Sequence, residues 1–456
     1  MDRFLRIRDA GTPLAVTKLR PVYYHHETSY VDVALRHIGT ASLPEQCSTL
    51  AGAARVNFLY VYDGHWPHNA TRVSKQISVL ISAGHSVTIL SRSRPGQALN
   101  ETNGKLSVVR LPSWKWRLAD KLATYPVFLN PVWVSAIRSA ASAIKADAII
   151  VRDLPLAPAA LHVARKMRIP AHYDMAEVYP AALDSILSHE AGIAIKIVRT
   201  LKLAEAVEKW VVHRAQSTFV VSEDSRERCI ALGVPPDRVV LVGNTPANPE
   251  ALLSDWPIPD DLADAADRPM ILFVGNIFAD RGLRYVIDAM PAVLRSVPPA
   301  LFVVVGDGRE CPLLKAQVAE QSLQQHVRFL GWKHHDTHPA YLRHAHVGVL
   351  PFVATEHIRI TLANKLFDYM GASLPVVASD VPSMRRIIDD ASCGMLVEPE
   401  NAAALADVLV KLLLDRSLRQ TLGTNGREAV SGRYAWSNDA SRFLAAVERP
   451  STHARR

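Results

Sequence analysis

The chain has 456 residues, of which 49% are hydrophobic and 21% are charged, and its formal net charge is +8. Because a single hydrophobic core rarely grows beyond about 250–300 residues, this length predicts two globular domains with appendages. The positive charge suits anionic partners such as phosphates and lipid headgroups. However, the basic residues are scattered and no nucleic-acid-binding motif is present, so nucleic acid is excluded as an expected partner.

The four cysteines, Cys47, Cys229, Cys311 and Cys393, are far apart in the sequence and lack the spacing of metal ligands. They are typical of reduced thiols in a cytosolic protein rather than of a disulfide framework. No apolar run approaches the roughly 20 residues that span a bilayer, and the first residues lack the apolar core of a signal peptide. We therefore expect a cytoplasmic protein.

The first half of the chain alternates short apolar strands with amphipathic helices. Residues 1–54 show no sustained periodicity and are expected to form an irregular extension. Order begins with the apolar run Val56-Asn-Phe-Leu-Tyr-Val-Tyr62, which predicts a strand, and a helix and a strand at 87–90 complete a β-α-β unit. Further strands are predicted at 108–111, 148–151, 171–174 and 218–221. Strands that alternate with helices predict a parallel sheet wound on both faces, here over 55–247.

A connection rich in proline and aspartate, at 245–261, precedes a second cycle of strands and helices, which we expect over 248–432. Its strands are predicted at 270–275, 301–306, 327–331, 347–350, 376–378 and 394–397. A final helix and tail are expected over 433–456. Two doubly wound domains joined by a hinge would place a cleft between the carboxyl ends of both sheets.

One stretch of the second half, Thr361-Leu-Ala-Asn-Lys-Leu-Phe-Asp-Tyr-Met-Gly-Ala-Ser-Leu-Pro-Val-Val-Ala-Ser379, predicts a ligand site. Its helix is expected to begin at the first residue, because Leu362 falls on the face of the later apolar residues, and to end at Gly371. Lys365 and Asp368 project on neighbouring parts of this helix. The helix N-terminus favours a diphosphate, and the carboxylate can accept ribose hydroxyl groups. The alternative is a surface helix with a solvated ion pair.

The glycine patterns exclude several familiar cofactor sites. Gly306-Asp-Gly308 lacks the third glycine of a dinucleotide fingerprint, and Gly275-Asn-Ile-Phe-Ala-Asp-Arg-Gly282 has the wrong spacing. The sequence has no Walker lysine loop and no Asp-x-Asp pair for a divalent metal. We therefore expect no cofactor and no metal, and an anion site made of backbone, arginine and lysine.

Several short, different motifs follow one another along the chain. In the second half they are Phe273-Val-Gly-Asn276, Asp280-Arg-Gly-Leu283, Val303-Val-Val-Gly-Asp-Gly308, Val327-Arg-Phe-Leu-Gly-Trp332, Gly348-Val-Leu-Pro351, Asn364-Lys-Leu-Phe-Asp-Tyr-Met-Gly371 and Pro375-Val-Val-Ala-Ser379. In the first half they are Ala83-Gly-His-Ser-Val-Thr-Ile-Leu90, Arg152-Asp-Leu-Pro155, Tyr173-Asp-Met-Ala-Glu-Val-Tyr-Pro180, Val220-Val-Ser222 and Gly243-Asn244. This order resembles the family-4 retaining glycosyltransferases of the GT-B fold over roughly 55–445.

The resemblance implies an α/β protein with two doubly wound Rossmann-like domains that face each other across a cleft. It implies that the first domain binds the acceptor, that the second binds a nucleotide sugar, and that the last helix crosses back onto the first domain. The donor-binding residues that it implies are Gly275, Asn276, Arg281, Leu330, Asn364, Lys365 and Asp368.

Three positions at the implied donor site depart from the family pattern. Arg281 falls where the family usually has a lysine that binds the donor diphosphate, and an arginine can do the same. Asn276 falls where the family has an arginine, so Lys365 is expected to supply the missing charge. Asp368 matches the second of two family carboxylates, which binds ribose, whereas Ile360 replaces the first, which binds the sugar.

Many members also keep a first-domain histidine near the reacting carbon, where this chain has Ala176. Glu177, His172 and His65 are the candidates to replace it and to bind the acceptor. The alternatives are that the donor phosphate performs the proton transfer alone, and that Glu177 only stabilises a helix N-terminus. The residues expected to act in catalysis are Glu177, Arg281 and Lys365.

A first-domain segment mixes aromatic and basic residues, as membrane interfaces do. It contains Trp114-Lys-Trp-Arg117, followed by Lys121, Tyr125, Phe128 and Trp133. Many resembling enzymes glycosylate lipid-linked saccharides, so peripheral contact with the inner face of the membrane is expected. The alternative is that these aromatic side chains pack against the outer helices of their own domain.

The resemblance implies a metal-independent, retaining hexosyltransferase that moves a sugar from a nucleotide-diphosphate sugar to a saccharide or lipid-linked acceptor. Cell-surface polysaccharide or glycolipid synthesis is the expected setting. The first alternative is an inactive GT-B protein that binds a nucleotide sugar or a partner, because of Ile360, Asn276 and Ala176. A sugar-nucleotide epimerase is a further alternative, although no acid/base pair stands out for it.

Overall fold

The computed structural model describes residues 55–67, 70–94, 96–112, 128–183 and 201–450. The predicted extension at 1–54 and the segment from Trp114 to Tyr125 lie outside the described residues. The described chain forms two sheets, one mainly parallel and one fully parallel, whose strands are connected by helices, and this confirms the predicted α/β class.

The first sheet has eight strands in the order β3-β4-β2-β1-β5-β6-β7-β8. The strands are β1 (Asn57–Val61), β2 (Ser86–Arg92), β3 (Asn100–Asn103), β4 (Leu106–Leu111), β5 (Ala148–Arg152), β6 (Ala171–Met175), β7 (Ser217–Val220) and β8 (Val239–Leu241). Only the β3–β4 pair is antiparallel among these described strands. Phe58 of β1 lies opposite Val87 of β2 and Ala148 of β5, so the predicted first strand is central and its apolar run is buried.

Helices connect these strands and cover the sheet. They are α1 (Thr71–Ser82), α2 (Pro131–Ala143), α3 (Ala157–Met167), α4 (Leu201–Arg214) and α5 (Glu223–Ala231). Two begin at side-chain caps: Asn130 accepts from the backbone N–H of Val132, and Ser222 accepts from that of Ser225. On α2, Trp133 is fully buried, and Phe128 packs against the same core. These two aromatic residues therefore pack within their own domain, as the alternative to a membrane contact predicts.

The second sheet has six parallel strands in the order β11-β10-β9-β12-β13-β14. The strands are β9 (Met270–Val274), β10 (Leu301–Val305), β11 (Val327–Gly331), β12 (Val347–Leu350), β13 (Val376–Ser379) and β14 (Gly394–Val397). The strand order reverses between β9 and β12. In doubly wound sheets ligands bind at such a reversal, in the crevice beyond the carboxyl ends of the strands.

The second sheet is connected by α6 (Leu283–Ser296), α7 (Cys311–Glu320), α8 (His338–His344), α9 (Glu356–Ile360), α10 (Asn364–Gly371), α11 (Pro382–Ala391), α12 (Ala402–Leu414) and α13 (Arg416–Ser431). The helix predicted to begin at Thr361 begins instead at Asn364. Thr355 caps the separate short helix α9 by accepting from the backbone N–H of Ile358, and Thr361 is extended. Leu362 is therefore buried from an irregular segment and not from a helix face.

The last helix, α14 (Trp436–Val447), packs on the first sheet. The ring of Phe443 lies 4.9 Å from that of Phe219 on β7, and Arg442 donates to the backbone carbonyl of Leu241 on β8. Across the described ranges, no helix combines the length and the apolar character needed to cross a bilayer.

Candidate active site

The carboxyl end of β9 lies directly against the side chain of Lys365 on α10. Gly275 follows β9 with φ +134°, and a Cβ at this position would lie 2.1 Å from Cε and 2.5 Å from Nζ of Lys365. The ammonium group is also 5.5 Å from the centroid of the Phe273 ring. The absence of a side chain at Gly275 thus creates the space that Lys365 occupies. Two residues predicted to bind the donor are therefore in contact.

Arg281 lies near Lys365 at the same edge of the sheet. Burial lowers the pKa of Lys365 to about 8, and the positive charge of Arg281 contributes to that decrease, while Asp368 and Asp280 oppose it. The Arg281 side chain is 19% exposed, and its Nε lies 3.5 Å from Oδ1 of Asp280. This buried Nε has no hydrogen-bond partner in the described part of the chain. Two partly buried cations with unused hydrogen-bonding capacity make a suitable anion site.

Asp368 lies one turn after Lys365 and faces the cleft. Burial raises the pKa of this carboxyl group, while His335, Lys75 and Lys365 act in the opposite direction. Since Lys75 belongs to α1 of the first domain, charges from both domains act on Asp368. Asn364 is exposed at the first position of α10.

The two remaining predicted donor residues, Asn276 and Leu330, differ in burial. Asn276 is exposed in the loop after β9. Leu330 lies on the edge strand β11 and packs, partly buried, against the second-domain core. The predicted donor set therefore comes from the loop after β9, from β11, from α10 and from the short turn that carries Arg281.

Lys75 is a cleft residue that the sequence analysis missed. Its ammonium group donates to the backbone carbonyl of Thr245 at 2.7 Å and lies 4.2 Å from the centroid of the Trp436 ring. Burial and the charge of Arg72 lower the pKa of Lys75 to about 7, and Asp439 and Asp368 oppose that decrease. Its spacing within α1 gives no signal of this role, because its neighbours come from distant parts of the chain.

On the first-domain side, His65 and Glu177 follow β1 and β6. Glu177 is exposed, whereas His65 is half-buried, with Nδ1 3.3 Å from the backbone carbonyl of Arg92. Burial lowers the pKa of His65. Both residues lie beyond the carboxyl ends of their strands, where the acceptor site was predicted.

Asp153, after β5, joins this group and was not predicted as a site residue, although it lies in the recognised motif Arg152-Asp-Leu-Pro155. Burial raises the pKa of Asp153 to about 7; Arg152 opposes the increase, and Asp63 and Glu177 add to it. Its backbone has φ +64° and ψ +153°, a conformation that non-glycine residues rarely adopt. The carboxylates of Asp63, Asp153 and Glu177 thus interact beyond the carboxyl ends of the strands of the first sheet.

His172 does not reach the cleft. It lies on β6 with 0% exposure, and its ring stacks on Phe219 with the ring centroids 6.0 Å apart. Within the described ranges neither ring nitrogen has a hydrogen-bond partner, and burial lowers the pKa of His172 to about 4. It is a neutral histidine of the domain core. We therefore correct the prediction that it contacts an acceptor.

His357, on the short helix α9, is a second residue that the sequence analysis missed. It is 6% exposed, and its Nδ1 lies 3.3 Å from Oγ1 of Thr361. Burial lowers its pKa, Glu177 opposes this effect, and Arg281 adds to it. His357 is therefore close enough to both the acceptor candidate and the phosphate candidate for their charges to act on it. No group of three or more His, Cys, Asp or Glu residues in the described chain is arranged to hold a metal ion.

Family models match both halves of the chain. Residues 69–245 match the glycosyl transferase 4-like domain, and residues 268–415 match glycosyl transferases group 1. Each match contains one of the two sheets or most of it. The chain belongs to the family-4 glycosyltransferases of the GT-B fold. This glycosyltransferase therefore has the family and the architecture that its motifs predicted.

A curated relative, the phosphatidyl-myo-inositol mannosyltransferase of Mycobacterium leprae, is 36% identical over 183 residues. That match covers 40% of this chain and 47% of the relative, so it spans about half of the relative's length.

Solved structures of low sequence identity share the fold over most of the chain. The sucrose-phosphate synthase of Thermosynechococcus elongatus has a TM-score of 0.68 at 20% identity and covers 86% of this chain and 98% of its own. Anabaena Alr3699/HepE in complex with UDP-glucose has a TM-score of 0.63 at 16% identity and covers 86% and 99%.

Proposed function

We propose that this glycosyltransferase moves a hexosyl group from a nucleotide-diphosphate sugar to a saccharide or lipid-linked acceptor, with retention of configuration and without a metal ion. The observation that carries the proposal is that Gly275 leaves room beyond β9 for the side chain of Lys365, on which the charge of Arg281 acts. Two cations beside a helix N-terminus suit a diphosphate. Asp368, one turn further along α10, suits the ribose hydroxyl groups. The UDP-glucose complex of Alr3699/HepE, a protein of the same fold, supports a donor of this class.

The proposed reaction depends mainly on stabilising the leaving group. As the bond between the anomeric carbon and the diphosphate oxygen breaks, negative charge develops on the phosphate, and Lys365 and Arg281 are placed to balance it. The acceptor hydroxyl then attacks the anomeric carbon on the face from which the diphosphate departs, and its proton passes to the departing phosphate oxygen. Glu177 and His65 would orient the acceptor from the first domain.

We further propose that the acceptor belongs to cell-surface polysaccharide or glycolipid synthesis and that the enzyme acts in the cytoplasm at the inner face of the membrane. The matched relative is named for a phosphatidyl-myo-inositol acceptor, which supports a lipid-linked acceptor for this chain. Phe128 and Trp133 pack inside the first domain, so they do not support membrane contact. Flotation of the protein with anionic vesicles, with neutral vesicles as the control, tests this contact.

The decisive experiment combines transfer assays with three matched variants. The wild type is incubated with UDP-, GDP- and ADP-sugars, lipid and saccharide acceptors and EDTA, and the anomeric configuration of the product is read by NMR. Arg281→Ala and Lys365→Ala are each expected to lower kcat/KM by about 100-fold to 1,000-fold, because each removes a preorganised charge. Arg284→Ala is the control, since Arg284 is an exposed arginine three residues after Arg281.

The outcome also separates the proposal from its alternative. Nucleotide binding without transfer to any acceptor would favour an inactive binding protein, the alternative that Ile360, Asn276 and Ala176 suggest. An inverted product would refute the retaining mechanism. Transfer that EDTA abolishes would refute the metal-independent mechanism.

A further inference from the structure

The amino end of α5 in the first domain meets the carboxyl end of α9 in the second. The hydroxyl groups of Ser222 and Ser225 donate to the backbone carbonyl of Ile360, at 2.9 Å and 3.1 Å. Both serines are almost fully buried, with 4% and 2% exposure. The last carbonyl groups of a helix lack partners within that helix. Two hydroxyl groups of the first domain therefore supply the hydrogen bonds that the last carbonyl group of α9 lacks within its own helix.

The side chain of Ile360 strengthens the same contact, because it packs against the hydrophobic core of the first domain. A carboxylate at this position would have to lose water on packing against that core, which is costly unless the charge is paired. In the resembling family this position carries the sugar-binding carboxylate. The chain has thus replaced a donor contact by a contact between the domains.

A second bridge between the domains lies at the protein surface. Arg386 of α11 lies 3.2 Å from Asp224 and 3.4 Å from Glu227 of α5, and its side chain is 43% exposed. Exposed ion pairs contribute little, about 0–1 kcal/mol. The buried contact of the two serines with Ile360 is therefore the one that fixes α9.

Helix α9 needs such anchors because it has only five residues, and helices of this length are not stable alone in water. Thr355 caps its start, and the hydroxyl group of Ser383 donates to the carbonyl of Ile358 at 3.1 Å. The serine contact with Ile360 is the anchor that comes from the other domain. His357 lies on the same single turn of helix, so its position depends on these three anchors.

We propose that Ser222 and Ser225 are positioning residues, which hold α9 against the first domain through Ile360 and thereby fix His357 at the interface between the two domains. The inference rests on the proposed function. It gives Ile360 a role in the contact between the domains and His357 a role near the reacting groups.

The test uses the double variant Ser222→Asp/Ser225→Ala. Aspartate keeps an acceptor for the N-cap of α5 but cannot donate to the Ile360 carbonyl, and alanine removes the second donor. In the free protein, the amides of Arg359 and Thr361, which bond to Thr355 and His357, should exchange at least tenfold faster than in the wild type. Because two neutral hydrogen bonds are lost, kcat should fall by about 5-fold to 150-fold, with the donor KM little changed.

The control is Thr421→Ala, which removes a hydroxyl group that bonds within its own helix, to the carbonyl of Ser417. This variant should retain wild-type exchange and kcat. The double variant is also combined with His357→Gln. If the serines act through His357, the combined loss of kcat will be smaller than the product of the separate losses.

Exchange of the α9 amides at the wild-type rate in the folded double variant would overturn the proposal. Independent, multiplicative losses of kcat would overturn the link to His357. Since exchange is measured without donor, it tests the contact even where no transfer is found. Faster exchange in a protein without transferase activity would support the contact, overturn its catalytic role and refute the proposed function separately.

Discussion

Gly275→Ala is expected to weaken donor binding by displacing a charge that lies on another element. The added Cβ would lie 2.1 Å from Cε and 2.5 Å from Nζ of Lys365, far inside van der Waals contact. The flexible lysine can move, but its ammonium group must then leave the end of β9. The backbone at φ +134° adds strain, because side chains other than glycine rarely adopt this conformation.

The two effects have separate magnitudes. A hydrogen bond to a charged group contributes about 1.5–3 kcal/mol, so the loss of the ammonium contact should weaken nucleotide binding by roughly 10-fold to 150-fold. Backbone strain should lower the free energy of unfolding by about 1–3 kcal/mol. Gly104→Ala is the matched control: Gly104 also has positive φ, at +58°, but a Cβ there has no neighbouring atom within 4 Å.

Isothermal titration with the preferred nucleoside diphosphate measures the affinity, and urea denaturation measures the stability. The control variant should lose stability but keep the affinity of the wild type. Wild-type affinity in a folded Gly275→Ala variant would refute the reasoning, because it would mean that the position of Lys365 does not matter for the donor.

Three further predictions concern charge and burial. Because the pKa of Lys365 is about 8, nucleotide affinity measured by calorimetric titration should fall as the pH rises from about 7 to about 9.5. Lys365→Arg should remove this pH dependence, because its guanidinium group stays charged. A wild-type affinity that does not change with pH would contradict the prediction. Asp174→Ala leaves Arg72 buried without its ion partner and should lower the free energy of unfolding, measured in urea, by about 3–5 kcal/mol. Asp390→Ala removes the exposed ion pair with Arg433 and should cost under about 1 kcal/mol. Equal losses in the two variants would contradict this prediction. The pKa of Asp153 is raised to about 7, so between pH 4 and 7 the native state binds more protons at this group than the unfolded state does. The contribution of Asp153 therefore makes the protein less stable as the pH rises through this range. Asp153→Asn should raise the Tm at pH 8, and an unchanged or lower Tm would refute this.

The parts of the fold that follow from local pattern were predictable. The buried run at β1 was recognised from its apolar pattern, and β9 and β10 lie within the strands predicted at 270–275 and 301–306. Strand β3 was missed because its four residues, Asn100–Asn103, are polar and lie at the sheet edge. The Asn103-Gly104 pair was the available hairpin signal.

Tertiary contacts decided the rest of the candidate site. The extended Thr361 excludes Leu362 from the helix that its spacing to Leu366 and Met370 predicted. His172 and His357 are both buried, but His172 stacks on Phe219 inside the first domain, whereas His357 lies on α9, whose end contacts the first domain. Neither distinction is visible along the chain, because each depends on elements that are distant in sequence.

The central claim is that Arg281 and Lys365 form a donor diphosphate site. The most direct test is a thermal-shift titration with UDP, GDP and ADP and their sugar conjugates, without metal, on the wild type, Arg281→Ala, Lys365→Ala and the control Arg284→Ala. A ligand that binds only the folded state raises the Tm. We predict that one nucleotide family raises the Tm of the wild type and of the control but not that of the other two variants. A wild type that no nucleotide stabilises, or a shift that survives both substitutions, would contradict the claim.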